Sequence, residues 1–314
     1  MTGIPHITGA GRRGATLVEA LVATVLAAVV LGAALDAVVR VARVRREHEA
    51  RASARAQLAQ AATALTSDFR PLTTVAAGDD SADLRALADT AVEVMATVGG
   101  GVTCAVAPAA GGAGAGVGST IELAGAPGGS STLALAWWTA PPRAGDVVAV
   151  HDDAGTATRA DDRWTVRTVR AVSEGTTYCR SGPFAAASGG ASRVRLTLDL
   201  PLLPATVGAG APLRVARRRR FSLYRATEGW QLGVRDWDGS MWETVQPVAG
   251  PFDAPAARGL HLEAIGATGT AVQVPAVSGV EELRVLLRTS CNRYDRRLRC
   301  TDSTVAVVRP RGST

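Results

Sequence analysis

Lysine is absent from this chain: all 34 basic residues are arginine. With alanine and glycine abundant, this reads as the codon bias of a GC-rich genome, so arginine content carries no functional signal of its own. The four cysteines contain no C-x-x-C pair and no histidine stands at ligand spacing, which argues against zinc. His6, His48, His151 and His261 are scattered along the chain, and none has a serine or cysteine nucleophile in a recognisable context. No catalytic constellation emerges, so the chain is expected to be no enzyme, with neither metal nor cofactor. No internal repeat is evident either.

What is present is apolar. Hydrophobic residues make up 47% of 314, enough for a sizeable core and incompatible with a disordered chain. The formal charge is +6. That excess is too mild to indicate nucleic acid by itself.

The most informative stretch is Gly11-Arg12-Arg13-Gly14-Ala15-Thr16-Leu17-Val18-Glu19, which runs into Ala20 to Leu31 with no further charge. A carboxylate in a bilayer-length helix costs about 2.5–3.5 kcal/mol at the helix centre, so Glu19 needs a partner or a function. A secretory signal fits poorly, because its cleavage site would follow the apolar region instead of preceding it.

This stretch resembles the class III leader of type IV pilins and of the pseudopilins of type II secretion, with Ala15 where those families usually carry Phe or Met. The resemblance implies that a prepilin peptidase cuts after Gly14 on the cytoplasmic face and methylates the new N-terminus at Ala15. It also implies that Glu19, at mature position five, guides assembly. The freed amine of one subunit and the Glu19 of its neighbour would then offset each other's desolvation and set the register between subunits. The implied partners are the peptidase, other pilins or pseudopilins through the N-terminal helix, and an inner-membrane assembly platform. The implied location is the bacterial inner membrane, single pass, head on the periplasmic or extracellular side, and then a pilus or pseudopilus. A positive-inside count points the other way, with Arg12 and Arg13 before the apolar segment against Arg40, Arg43, Arg45, Arg46, Arg51 and Arg55 after it. The resemblance is given precedence, since export by that route is not set by flanking charge alone.

In an exported head the cysteines are expected to pair. The nine-residue step from Cys291 to Cys300 suits a closed loop, leaving Cys104 with Cys179. On the chain-entropy model the short loop contributes roughly 2.7 kcal/mol and the long one roughly 4.5 kcal/mol.

The domain reading is a leader over 1–14, a transmembrane helix over 15–39, an amphipathic continuation over 40–70 and a β-rich head over 72–314. The apolar helix is about 25 residues or roughly 37 Å long, enough to span a hydrocarbon core. Beyond Asp36, Val38, Val41, Val44, Leu58, Ala62, Leu65 and Phe69 recur at helical steps, until Pro71 ends the pattern. Residues 81–98 fit a helix at first and alternate as a strand from Val92, stopping before Gly99-Gly100-Gly101. Strands are then predicted at Ser119 to Leu123, Leu133 to Trp138, Asp146 to Val150, Trp164 to Val172, Val194 to Leu200, Val215 to Ala226, Trp230 to Asp236, Leu260 to Ala264, Leu283 to Thr289 and Val305 to Arg309. Turns are marked at Thr227-Glu228-Gly229 and Asp236-Trp237-Asp238-Gly239. The fold class is therefore α+β, a long N-terminal helix and a mainly antiparallel head. The pattern from Gly145 to Val150 and that from Phe221 to Leu232 resemble the larger minor components, W-type pilins and J-type pseudopilins.

Other features have plainer readings. Arg217-Arg218-Arg219-Arg220 could meet DNA phosphates, but strand alternation puts only two on each face, and an exposed edge strand blunted by charge is expected. The Asp236, Asp238 pair and the Asp152, Asp153, Asp161, Asp162 cluster lack the full oxygen set of a calcium loop and read as turns. The six tryptophans read as core and sheet packing. The rival functions are an envelope binding module on an uncleaved helix and a membrane-tethered hydrolase.

Overall fold

The structure, a computed structural model, describes residues 16–69, 83–108, 118–123, 136–158, 162–179, 193–202, 206–272, 277, 279–290 and 301–309. It is α+β: a long helix, α1 (Leu17–Phe69), precedes a mainly antiparallel β region. No proline interrupts the helix, and Ala, Val, Leu and Arg dominate it, so its 53 residues run unbroken. By contacts the chain divides into two units, Met1–Ala52 and Ser53–Thr314. In the first unit Leu17, Val18, Leu21, Val22, Leu26, Val29 and Val30 are all exposed. The best window of α1 has a mean hydropathy of 2.4, long and apolar enough to cross a membrane.

Among its described residues the second unit holds the last turns of α1 and fourteen strands: β1 (Leu84–Ala88), β2 (Ala91–Pro108), β3 (Ser119–Leu123), β4 (Ala136–Trp138), β5 (Val147–Asp152), β6 (Arg163–Gly175), β7 (Arg193–Leu198), β8 (Pro212–Ala226), β9 (Gly229–Asp236), β10 (Gln246–Phe252), β11 (Leu260–Gly266), β12 (Ala271–Val272), β13 (Val280–Ser290) and β14 (Thr301–Val308). The larger sheet follows the order β1-β2-β3-β7-β6-β5-β8-β9-β10, with β4 on β2 and a further pairing of β2 with β8. That extra pairing closes a ring, β2-β3-β7-β6-β5-β8 and back to β2, all antiparallel. The smaller sheet is β12-β11-β13-β14.

Two cores follow from alternation along these strands. Ile121 and Leu123, Val148 and Val150, Val194, Leu196 and Leu198, and Leu213 and Val215 fill the ring. Leu58, Ala61, Leu65 and Phe69 of α1 pack with Val92, Val94, Phe221 and Leu232 and with Leu262, Val285 and Leu287 of the smaller sheet. Phe69 meets Phe221 edge to face at 5.5 Å between centroids. Strands β2 and β8 are long enough to serve both cores. On β8 the inward residues are Leu213 and Val215 for the ring, Phe221 for the helix core, and Arg217 and Arg219 between them.

Several expectations are corrected. Residues 84–88 form a strand, so the helical pattern of Leu84, Leu87 and Ala91 is overridden by pairing with β2. Gly99 to Gly101 continue β2 because β4 lies against them: a Cβ on Gly99 would strike the Trp138 ring, and one on Gly100 would crowd Trp137. β10 was not anticipated, since Pro247 and Pro251 argue against a central strand; it ends the sheet, where proline is tolerated. The arginine run does not lie on an edge. β8 pairs with β2 on one side and with β5 and β9 on the other, and its charge is absorbed by carboxylates from neighbouring elements.

Candidate functional site

Thr16 and Glu19 form a reciprocal cap at the start of α1. The Thr16 N–H donates to Glu19 Oε2 at 2.9 Å and the Glu19 N–H donates to Thr16 Oγ1 at 3.3 Å. The spacing is the Thr-x-x-Glu capping box, and the carboxylate also faces the positive end of the helix dipole. Among the described residues, its neighbours along the helix include the exposed apolar side chains of Leu17, Val18, Leu21 and Val22. A neutral glutamine would keep the capping hydrogen bond, so the local use of the charge is confined to the helix dipole, about 0.3–1 kcal/mol at an exposed site. Gly14 and Ala15 lie outside the described residues.

After the apolar stretch, Asp36–Arg40, Glu47–Arg51 and Arg45–Glu49 pair at i,i+4 at 2.5–2.8 Å. Exposed pairs of this kind contribute about 0.3–0.5 kcal/mol each and serve to solvate the helix.

Among the described residues of the second unit, a charged layer lies between the two cores. Arg217 and Asp146 are both buried and bound by two hydrogen bonds, at 2.7 and 2.9 Å. Arg217 also donates to the Pro141 carbonyl at 2.9 Å. Arg219 reaches Asp236 at 2.8 Å and Asp68 of α1 at 2.6 Å. Arg143 donates its N–H to Asp146 and its guanidinium to Glu243. The outward pair, Arg218 and Arg220, shares Glu93, and Arg218 also lies over the Trp237 and Trp242 rings at 5.3 and 5.2 Å. The carboxylates come from the end of α1, the end of β9 and the approach to β5, so this layer ties the helix to the ring.

Burial would raise the Asp236 carboxyl, but the Arg219 hydrogen bond and the charges of Arg219, Arg217 and Arg143 outweigh it and hold it below the usual range. A lowered native value contributes stability that is complete above about pH 4, where the unfolded carboxyl ionises, and is lost as pH falls through the native value. In thermal melts the advantage of wild type over Asp236→Asn is therefore expected at pH 7 and to shrink below about pH 4. A gap unchanged down to pH 2 would contradict the ion-pair account.

Cys104 of β2 and Cys179 after β6 are joined as a disulfide, with Cα atoms 5.4 Å apart. Cys291 and Cys300 lie outside the described residues. With Glu122, the two sulfurs are the described group whose ligand atoms approach closely enough for a metal. That donor set is already in use: the sulfurs bond each other, and Glu122 accepts from Arg195 and from the Cys179 N–H.

The remaining motifs resolve into turns. Asp238 Oδ1 accepts from the N–H groups of Ser240 and Met241, and the Asp236 carboxylate is occupied by arginines. Asp152 pairs with Arg163 and caps Ala154, and Asp153 accepts the Gly155 N–H. His151 lies 3.6 Å from Asp162 and against Trp164, with no nucleophile among its described contacts. Asp161 lies outside the described residues. The ionic layer was missed from the sequence, although the signal existed: Arg217 and Arg219 share the parity of Leu213, Val215 and Phe221 and so had to face inward. The same is true of Thr16 as the cap partner of Glu19.

Compared with known protein families, with curated proteins and with solved structures, the chain matches none.

Proposed function

We propose that this chain is a minor pilin or minor pseudopilin: cut after Gly14, methylated at Ala15, and built into a type IV filament or secretion pseudopilus through α1. The observation that carries the proposal is Glu19, an anion at the head of an exposed apolar helix, whose contacts among the described residues are those of the Thr16 cap and include no cation. A neighbour's N-terminal amine, freed by cleavage at Ala15, is the cation that such a site lacks. The head then lies on the periplasmic or extracellular side. Its bulk supports a place at few positions, near the filament tip, since a large domain would crowd the lateral spacing of a repeated subunit. The buried ionic layer and the Cys104–Cys179 bond belong to the head's scaffold.

Cleavage is tested by Gly14→Ala, co-expressed with a prepilin peptidase. The variant is expected to run as the longer precursor while wild type shortens by the leader. Equal mobility of the two would count against processing and favour an anchored binding module on an uncleaved helix.

A further inference from the structure

Where β2, β8 and β9 run side by side, the outer face of the larger sheet carries more arginine charge than its one carboxylate offsets. Arg220 of β8 stands directly opposite Glu93 of β2 on one side and directly opposite Arg235 of β9 on the other. Residues in direct register point to the same face, and Arg218, two positions before Arg220, shares it. Three guanidinium groups and one carboxylate thus occupy one patch.

That carboxylate is largely committed. Glu93 takes two hydrogen bonds from Arg218, at 2.6 and 3.2 Å, and meets Arg220 only at 3.5 Å. Arg235 has no ion pair among the described residues, and its Nε is buried without a hydrogen-bond partner. The acids nearby are engaged elsewhere: Asp236 by Arg217 and Arg219 on the inner face, Asp238 by the N–H groups of Ser240 and Met241, Glu243 by Arg143, and Asp83 by Arg214. Like charges directly opposite on paired strands are destabilising, and a buried nitrogen without a partner adds to that cost. An oxyanion between the two forks removes both penalties, since each guanidinium offers paired N–H donors to two oxygens. The patch is open to a ligand, with the Arg218 and Arg220 side chains 40% and 43% exposed. The two uncompensated positive charges match a phosphate group that is free or singly esterified, which carries about −1.5 to −2 at pH 7. A carboxylate or a phosphodiester brings a single negative charge.

We propose that Arg218, Arg220 and Arg235 form a binding site for a phosphate dianion, free or as a monoester. The site does not depend on the filament reading. The test is calorimetric titration and thermal melting of the full-length protein in nonionic detergent at constant ionic strength. The probes are inorganic phosphate, glycerol phosphate and single-stranded DNA without a terminal phosphate. Inorganic phosphate is expected to bind and to raise the melting temperature of wild type. Arg235→Gln and Arg220→Gln should each weaken that binding about tenfold, while Arg225→Gln, an exposed position of the opposite parity on β8, should leave it unchanged. In phosphate-free buffer Arg235→Gln and Arg220→Gln should melt no lower than wild type, because each relieves the opposed pair. Tighter binding of glycerol phosphate makes the occupant an ester and tighter binding of inorganic phosphate makes it the free ion; both uphold the site. Absence of binding, equal weakening by Arg225→Gln, preference for the DNA, or a loss of stability in both variants without phosphate would overturn the proposal.

Discussion

Glu19→Gln is expected to reach the membrane at wild-type level and to be nearly absent from filaments. Glutamine keeps the hydrogen bond to the Thr16 N–H, so the helix start remains capped. What is lost is the charge. Removing one partner of a desolvated ion pair costs about 3–5 kcal/mol, which lowers the incorporated fraction by a factor of more than about a hundred. Quantitative blotting of membrane and filament fractions checks this. Glu19→Ala, which removes cap and charge together, should fare no better than Glu19→Gln. If the glutamine variant assembled normally and only the alanine variant failed, the residue would be a cap and nothing more.

Arg217→Ala should be the most damaging single change in the head. It strands Asp146, fully buried, with the Arg143 N–H as its remaining hydrogen bond from this layer, and it removes one of the cations around Asp236. A cost of about 3–5 kcal/mol follows from leaving a buried charge uncompensated. Because the layer joins the helix core to the ring, urea melts of Ser53–Thr314 are expected to lose their single cooperative transition as well as stability. Arg220→Ala, on the outward face at 3.5 Å from Glu93, should change stability by less than about 1 kcal/mol. Equal effects from the two would refute the division of the arginine run into an inner and an outer pair.

How far the sequence reaches is clear from particular elements. α1 was legible because its periodicity is long and its end is marked by Pro71, and β3 because Ser119 to Leu123 alternates without interruption. The hairpin at Thr227 and Glu228 was legible because Gly229 takes a positive φ of 126°. Closure of the ring was not, since nothing local records that β2 pairs with β8 across more than a hundred residues. Nor was the length of β2, whose three glycines look like a turn until the tryptophans of β4 are laid on them. The arginine run was misplaced for a related reason: alternation assigns faces, but only tertiary pairing decides whether a strand is central or at an edge. At the N-terminus the motif itself was legible, and the structure adds the Thr16 cap, which separates the carboxylate's local use from its charge.

The most direct measurement is the N-terminal mass of the protein recovered from cells that carry a prepilin peptidase. The account predicts a chain that begins at Ala15, bearing a methyl group on its amine. A chain that still begins at Met1 would contradict it.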